Sequence, residues 1–181
     1  MSAAPYVIRP ATVDDVEAVR AIRNAAIRDG IALWTGVELT PEAAAEWVGE
    51  HLARGAMLVA EIDEVVVGYA GYGQWRAKEG YRYTVDDSIY LSAAAQGRGI
   101  GRALLERLVE LAAAAGMHVM IADIEAGNTA SIALHEKLGF EQIGTIREVG
   151  TKFGRWLDLT ILSLDLARVS PPPAAGTWAA S

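Results

Sequence analysis

Three closely spaced glycines stand at the start of an apolar helical segment, an arrangement that could bind an anion. The stretch AAAQGRGIGRALLERL covers residues 93–108 and places Gly97, Gly99 and Gly101 directly before leucines spaced for a helix. Glycine destabilises a helix, so its use here indicates that another group must approach the backbone closely. The first N–H groups of a helix have no partner inside it, and the helix dipole adds to their attraction for phosphate. The loop predicts a site for a phosphate-bearing cofactor.

The glycine spacing fits neither of the two common nucleotide-binding loops. In a P-loop counted from Gly97, the second glycine would fall on Arg102. In a dinucleotide-binding fingerprint, the third glycine would fall on Arg102 or on Leu104. A tight turn without a ligand is the alternative, but Arg98 and Arg102 could add side-chain donors to a bound anion. The type of phosphate ligand therefore has to come from the rest of the chain.

The elements around this loop follow a mixed α/β pattern. Apolar periodicity and capping residues predict the order β-α-α-β-β-β-α-β-α-β-β, a mixed sheet with helices on its faces. Thr12, Thr40 and Asn128 are predicted helix N-caps, and Asp63-Glu64 predicts a hairpin turn. The strand before the glycine loop is predicted as SIYLS, preceded by the polar and aromatic stretch QWRAKEGYRYTVDD. The strands of this sheet therefore have to position the residues that react with a ligand bound at the loop.

Composition limits the class of protein. The 181 residues are 52% apolar and 22% charged, which is typical of a globular domain; we expect one domain over residues 1–169 and a loose Pro/Ala-rich tail over 170–181. No stretch approaches the roughly 18 to 20 apolar residues of a membrane span, and no secretory signal is visible, so a cytoplasmic protein without a membrane partner is expected. The net charge of −7 disfavours nucleic acid as a partner. Without cysteine, disulfides, thiolate metal sites and a cysteine nucleophile are excluded.

Two motifs resemble the GNAT superfamily of N-acetyltransferases. The sequence QGRGIG, residues 96–101, resembles the superfamily's pyrophosphate-binding loop, and NTASIALHEKLGF, residues 128–140, is similar to its late helix. The stretches YRYTVDDSIYL, SIALHEKLGF and KFGRWLD are similar to the phosphinothricin acetyltransferase-like branch, whose members acetylate small amino-acid analogues. The resemblance covers nearly all of residues 6–166.

The resemblance implies an α/β fold of the GNAT acyl-CoA N-acyltransferase type, with a mixed, mostly antiparallel sheet flanked by helices. It implies acetyl-CoA as the cofactor (a co-substrate), with no metal. Independently, no metal site is expected at His118 and Asp123, because they fall on opposite faces of one strand. The residues expected to bind the cofactor through the loop are Gln96, Gly97, Arg98, Gly99, Ile100, Gly101 and Arg102.

Acetyl transfer to an amine requires a base, since an α-amine of reference pKa about 7.7 to 8.0 is mostly ammonium at neutral pH. Relatives usually have glutamate, proposed as the base, at the position of Asp86, so the resemblance implies that Asp86 takes this role. Aspartate is one methylene shorter, which could require an intervening water. Asp87 is an alternative base, because neighbours on a strand point to opposite faces and only one can face the pocket. A third interpretation is that both begin a strand in solvent.

Four further positions acquire roles from the resemblance. The backbone N–H of Leu91 is expected to contact the thioester carbonyl. His135 stands where many relatives have a tyrosine that protonates the departing thiolate, and histidine can donate a proton at physiological pH. A thiolate of reference pKa about 8.5 is already a fair leaving group, so a structural histidine is an equal alternative. Asn128 and Ser131 are expected to hydrogen-bond the pantetheine arm.

The segments WTGV and QWRAKEGYRY combine aromatic rings with cations, which suits a small amphoteric acceptor. Arg76 could hold a carboxylate, and the resemblance places Trp34, Lys78 and Tyr81 where relatives contact the amino-acid analogue. Lys78 stands where some relatives have arginine, which weakens bidentate binding of a carboxylate or phosphinate. The segment KFGRW could complete the pocket or form a subunit contact.

The sequence leads to a direct N-acetyltransferase for a small amino-acid-like acceptor, and the resemblance implies a homodimer. One alternative is an enzyme that acetylates protein N-termini or polyamines, although the basic segment WRAKEGYR disfavours a polyamine. Another is a non-catalytic module that senses acyl-CoA, which would keep the phosphate loop but would not need Asp86. The first alternative differs from the amino-acid acetyltransferase in the amines that it acetylates. The second differs because it would show no turnover at all.

Overall fold

Residues 5–166 are described by a computed structural model and form one seven-stranded sheet with four helices. The sheet order is β1-β2-β3-β4-β5-β7-β6, and within these residues β4 and β5 form the parallel pair while all other neighbours are antiparallel. The strands are β1 (Val7–Pro10), β2 (Met57–Ile62), β3 (Val65–Gln74), β4 (Thr84–Leu91), β5 (Val119–Glu125), β6 (Glu141–Lys152) and β7 (Arg155–Asp165). The helices are α1 (Val16–Asp29), α2 (Pro41–Ala53), α3 (Ile100–Ala114) and α4 (Thr129–Lys137). The predicted fold class and element order are confirmed.

Local signals in the sequence explain where several elements begin and turn. Thr40 Oγ1 accepts a hydrogen bond from the Ala43 N–H at 3.2 Å, with Pro41 in the first position of α2. Asp63 and Glu64 form the turn between β2 and β3 with φ of 50° and 65°, the left-handed pair typical of a two-residue hairpin. The predicted cap and the predicted hairpin are both present.

Each face of the sheet has its own core. On one face α3 packs its leucines against β2 to β5, with Leu104, Leu105 and Leu108 fully buried. On the other face α1 and α2 cover Val59 and Tyr69, which are also fully buried. Successive side chains of a strand alternate between these two cores. Neighbouring residues of β4 therefore lie on opposite faces of the sheet.

The structure corrects the predicted start of β4. The strand begins at Thr84 rather than at Ser88, so Asp86 and Asp87 lie inside it and do not precede it in solvent. Pairing with β3 on one side and β5 on the other overrides the poor strand propensity of aspartate: Asp86 lies opposite Gly73 and beside Ile121.

The predicted tail and the expected absence of a membrane span or metal site have to be judged within the range of residues that the structure describes. The tail predicted at 170–181 lies outside them, so its looseness stays a prediction. Within residues 5–166, no helix is long and apolar enough to cross a membrane. The same part of the chain holds no group of three metal-ligating His, Cys, Asp or Glu side chains.

Candidate active site

An opening between β4 and β5 lies in the middle of the sheet. The two strands pair at Thr84, Val85 and Asp86 and diverge beyond them. We call the opening the cleft: it runs from 87 to 91 along β4 and from 122 to 125 along β5. Backbone groups that neighbouring strands would normally satisfy therefore face an open channel.

The register of β3 against β4 shows which backbone groups point into the cleft. Ser92 N–H donates to Val67 O at 2.8 Å, which makes the adjacent pair Gly68 and Leu91 a non-hydrogen-bonded one. The N–H of Leu91 therefore points away from β3, toward the cleft. This is the orientation that contact with a ligand carbonyl requires, and it agrees with the expectation for Leu91.

Two cavities follow the cleft from the interior to the surface. The inner one has a volume of about 70 Å³ and the outer one about 530 Å³. They share four wall residues, Ala32, Tyr90, Glu125 and Asn128. Gln96 belongs to the outer cavity and Ser131 to the inner one. The shared wall indicates one channel, and Asn128 and Ser131 both line it.

The glycine loop directly follows Gln96, which lines the outer cavity. Gly97 and Gly99 have φ of 72° and 79°, which favours glycine, and a Cβ added at either would meet nothing within 4 Å. Helix α3 starts at Ile100, whose side chain is fully buried, so this residue can offer a ligand only its backbone. Arg102 Nε donates to Glu106 Oε1 at 2.8 Å. The loop thus presents open space and the N–H groups of a helix start, which suits a pyrophosphate.

Asp86 is the last residue of β4 that pairs with β5 before the cleft begins, and it lies on the face of the sheet covered by α1 and α2. Asp86 and Tyr90 are four residues apart in β4, so their side chains lie on the same face of the sheet, and Tyr90 packs against that core. Burial raises the pKa of Asp86 to about 6, against a backbone hydrogen bond that lowers it, and the charges of Asp87 and Asp123 add to the rise. A carboxylate with this pKa can accept a proton near neutral pH.

Asp87 points to the opposite face and pairs with α4. Its Oδ2 lies 3.1 Å from His135 Nε2, and the two side chains are 5% and 4% exposed. His135 Nδ1 lies 2.8 Å from Ser131 O, and the Phe140 ring packs edge-on against the imidazole. Burial lowers the pKa of His135, but the hydrogen bond and charge of Asp87 and the Ser131 carbonyl raise it more, so the net shift is upward. Both members of the pair line the inner cavity.

An aromatic and cationic cluster follows β3 beside Asp86. The Trp75 and Tyr81 rings meet edge-on at 5.5 Å, and the Arg76 guanidinium lies 4.2 Å from the centre of the Trp75 ring. Trp75 also hydrogen-bonds the carboxylate of Asp123, one of the charges that act on Asp86. The structure therefore brings the predicted acceptor residues Arg76 and Tyr81 together.

The other two predicted acceptor residues have different surroundings. The Lys78 carbonyl accepts a hydrogen bond from Tyr81 N–H at 2.9 Å while its side chain is exposed. Trp34 donates from Nε1 to Ile31 O at 2.9 Å, and its ring lies where a Cβ on Gly150 would be. Trp34 thus packs against β6, two residues from Ala32 in the cavity wall. Its contact with an acceptor stays a prediction.

Comparisons with known proteins agree with this geometry. A family model described as the acetyltransferase (GNAT) family matches residues 20–140. The L-methionine sulfoximine/L-methionine sulfone acetyltransferase of Pseudomonas aeruginosa is 45% identical over 163 residues, covering 88% of this chain and 94% of that protein.

The chain belongs to the GNAT acetyltransferase family. Solved GNAT structures give the same result for the fold. An acetyltransferase from Salmonella typhimurium, solved with its cofactor acetyl-CoA, superimposes with a TM-score of 0.91 at 42% identity, covering 95% of this chain and all of that one. A phosphinothricin acetyltransferase from Sinorhizobium meliloti, in complex with acetyl-CoA, gives 0.89 at 34% identity over 96% of each chain.

The structure of this acetyltransferase also contains site residues that the sequence interpretation did not single out. The sequence offers no signal for Trp75 beyond its place in the segment QWRAKEGYRY, and none for Asp123 beyond its type as a possible metal ligand. Both lie beside Asp86 because β3 ends and β5 runs next to the start of β4. The available signal was the aromatic residue at the end of β3, but the parallel pairing that brings Asp123 near was not visible in the sequence.

Proposed function

We propose that this acetyltransferase transfers the acetyl group of acetyl-CoA to the α-amine of a small amino-acid analogue. The acceptor class is that of methionine sulfoximine, methionine sulfone and phosphinothricin. The observation behind the proposal is the channel itself, with Gln96 of the glycine loop in its outer wall and Asp87 and His135 in its inner wall. Asp86, whose pKa burial raises to about 6, precedes Asp87 on β4. The names of the relatives given above support the acceptor class.

The residues present fit acetyl-CoA, which would supply the acetyl group as a thioester. The open side of Gly97 and Gly99 and the start of α3 would hold the pyrophosphate. Asn128 and Ser131, in the channel wall, would hydrogen-bond the pantetheine arm. The Leu91 N–H, directed away from β3, would polarise the thioester carbonyl.

Asp86 would act as the general base of this reaction. An acceptor amine is mostly ammonium at neutral pH and has to lose a proton before it can attack a carbonyl carbon. A base with a pKa near the working pH combines a useful ionised fraction with proton affinity. Asp86 meets this requirement because of its burial, and Asp87 is less suited, since one of its oxygens is already bound to His135.

Arg76 and the rings of Trp75 and Tyr81 would bind the acceptor. The guanidinium lies over the Trp75 ring and can meet a carboxylate, while the rings can contact an apolar side chain. Lys78 adds a positive charge on the exposed side of the same turn. Trp34 would approach the acceptor from the loop that contains Ala32.

A second copy of the chain would cover the edge of the sheet at β6. The β6–β7 hairpin exposes Ile143, Ile146, Val149, Phe153 and Trp156, each at least 47% accessible. An apolar sheet edge in water is a typical site for association between chains. The proposed homodimer predicts twice the monomer mass in light scattering, and Trp156→Glu should shift it toward the monomer. A cytoplasmic location remains a prediction.

The deciding experiment follows CoA release from acetyl-CoA with a panel of amines. The panel contains phosphinothricin, methionine sulfoximine, methionine sulfone, spermidine and a short peptide with a free N-terminus. Turnover with the three amino-acid analogues and little with the others is expected. Turnover with the peptide or spermidine alone would replace the proposal by the protein or polyamine alternative. Tight acetyl-CoA binding without turnover on any amine would favour the non-catalytic sensing module.

A further inference from the structure

The buried pair of Asp87 and His135 has an unusual hydrogen-bond arrangement. A carbonyl oxygen can only accept, so His135 Nδ1, at 2.8 Å from Ser131 O, carries a proton. The other ring nitrogen, Nε2, faces a carboxylate oxygen of Asp87 at 3.1 Å. A neutral imidazole protonated at Nδ1 would direct a lone pair at this carboxylate. The pair therefore holds one additional proton between Nε2 and Oδ2.

The remaining oxygen of Asp87 has no partner within residues 5–166. Asp87 Oδ1 is buried and has no hydrogen-bond partner in the part of the chain that the structure describes. The residue lines the inner cavity together with His135. A buried carboxylate oxygen without a partner is costly and indicates a donor that arrives with a bound molecule. The pair thus borders the space into which the reacting end of a bound thioester would extend.

We propose that Asp87 is the positioning residue of His135, holding it as an imidazolium in the wall of the channel so that His135 can protonate the sulfur of the leaving group. This inference rests on the proposed function and on the acid role that the family resemblance implies for His135, and it goes beyond them by assigning to Asp87 the positioning of that residue. Asp87 acts through His135; His135 is the residue that would touch the reacting atoms.

Proton transfer from His135 accompanies cleavage of the carbon–sulfur bond. When the carbon–sulfur bond breaks, its electron pair goes to sulfur. The N–H bond at His135 Nε2 breaks, an S–H bond forms, and the hydrogen bond to Asp87 Oδ2 is given up. His135 is left neutral with its proton on Nδ1, and Asp87 is left as a carboxylate. A proton from solvent, or the one removed from the acceptor amine, restores the pair after the products leave.

The groups around the imidazole determine its expected pH dependence. Asp87 faces it from β4, the Ser131 carbonyl from its own helix, and the Phe140 ring from the segment after α4. Asp123 and Glu125 of β5 line the same cavity and add negative charge. Removing the Asp87 charge leaves burial, which lowers the pKa of an imidazole. The protonated form of His135 should therefore persist to higher pH in the wild type than in Asp87→Asn.

The first test needs no turnover. Nitrogen-15 NMR of the histidine side chains distinguishes an imidazolium from a neutral ring, and His135→Gln assigns the His135 signal among those of the three histidines. At pH 7 the wild type should show an imidazolium at His135. Asp87→Asn should show a ring protonated at Nδ1 alone, and Asp87→Glu should restore part of the imidazolium signal. A neutral His135 in the folded wild type would overturn the proposal, whatever the outcome of the amine panel.

The second test is kinetic. In Asp87→Asn, kcat should fall about tenfold at pH 8 and less at pH 6.5, with the descending limb of the pH profile moved to lower pH and the KM for acetyl-CoA unchanged within about twofold. The loss is modest because a thiolate is already a fair leaving group. A merely structural pair would change stability and leave the descending limb in place, and that result would also overturn the proposal.

Discussion

The two faces of β4 give neighbouring aspartates opposite environments. Asp86 faces α1 and α2 and hydrogen-bonds its own backbone, and its burial and two nearby carboxylates raise its pKa to about 6. Asp87 faces α4, where His135 Nε2 lies 3.1 Å from its Oδ2. The first environment gives a carboxylate a pKa at which it can accept a proton near neutral pH, and the second gives a carboxylate a buried histidine as its partner. The difference comes from strand parity together with the helix that covers each face.

The cleft lets both side chains act on one substrate. Beyond Asp86 the two central strands no longer pair, so a molecule between them can be reached from both faces of the sheet. A continuous sheet would isolate the two aspartates from each other. In the proposed reaction the opening would place a proton acceptor on one side of the substrate and a proton donor on the other.

The largest expected effect comes from removing the base on the Asp86 face. Asp86→Asn should lower kcat/KM about 10²- to 10⁴-fold at pH 7.5, because the acceptor ammonium loses its proton acceptor. In the wild type, kcat/KM should rise with pH through about 6, as Asp86 ionises, and this limb should disappear in the variant. Initial rates of CoA release between pH 5 and 9 measure both.

Asp63→Asn is the matched control for this substitution. Asp63 is exposed in the β2–β3 turn, and asparagine accepts its φ of 50° readily. The control should retain wild-type rates at every pH. An unchanged ascending limb in Asp86→Asn would show that another group is the base.

Features that depend on neighbours along the chain were predictable from the sequence. The Thr40 cap and the Asp63-Glu64 turn are short-range signals, and both are present. The glycine loop is similar: three glycines before a helical pattern indicated a close backbone approach, and the structure has open space there. The element order followed from apolar periodicity in the same way.

Features that depend on pairing across the sheet were not predictable. Strand alternation predicts that the side chains of Asp86 and Asp87 point to opposite faces of the sheet. Nothing in the sequence indicates which helix covers which face. The Asp87–His135 pair joins residues 48 positions apart, and no local pattern specifies it. The contact of Trp75 with Asp123 likewise depends on β5 running beside β4. Long-range register therefore decided the chemistry of the site, whereas the local patterns decided its elements.

A smaller effect on activity is expected from a substitution in the glycine loop. Gly99→Ala places a side chain on a residue with φ of 79°, which costs about 1 to 2 kcal/mol in the left-handed region. If the loop holds the pyrophosphate, relaxation of this strain moves the N–H groups, and the KM for acetyl-CoA should rise about tenfold while the acceptor KM stays constant. Gly55→Ala, at φ of 62° after α2, carries the same strain away from the cleft and should leave both KM values unchanged. Equal effects of the two substitutions on KM would contradict the assignment of the loop.

The smallest expected effect is a change in the free energy of unfolding, which should differ in sign between Asp86→Asn and Asp87→Asn. Folding raises the pKa of Asp86 from its ordinary 3.8 to about 6, so the folded state disfavours the ionised form. Well below pH 3.8 both states are protonated and nothing is lost; as pH rises toward 6 the unfolded chain ionises first and stability falls. Asp86→Asn should therefore stabilise the protein by about 1 to 2 kcal/mol at pH 7.5, allowing for its partial exposure, and progressively less as pH falls toward 3.8.

Asp87→Asn should change stability in the opposite direction. The raised pKa of His135 stabilises the fold below the ordinary pKa of histidine, and this contribution is lost as pH rises through the folded value. Removing the Asp87 charge should destabilise the protein by about 1 to 3 kcal/mol at pH 6, because a buried imidazolium loses its partner, and by less at pH 9. Urea unfolding of both variants at several pH values measures the contrast. A common sign for the two substitutions at pH 6 to 7.5 would mean that the faces of β4 do not differ as their contacts indicate.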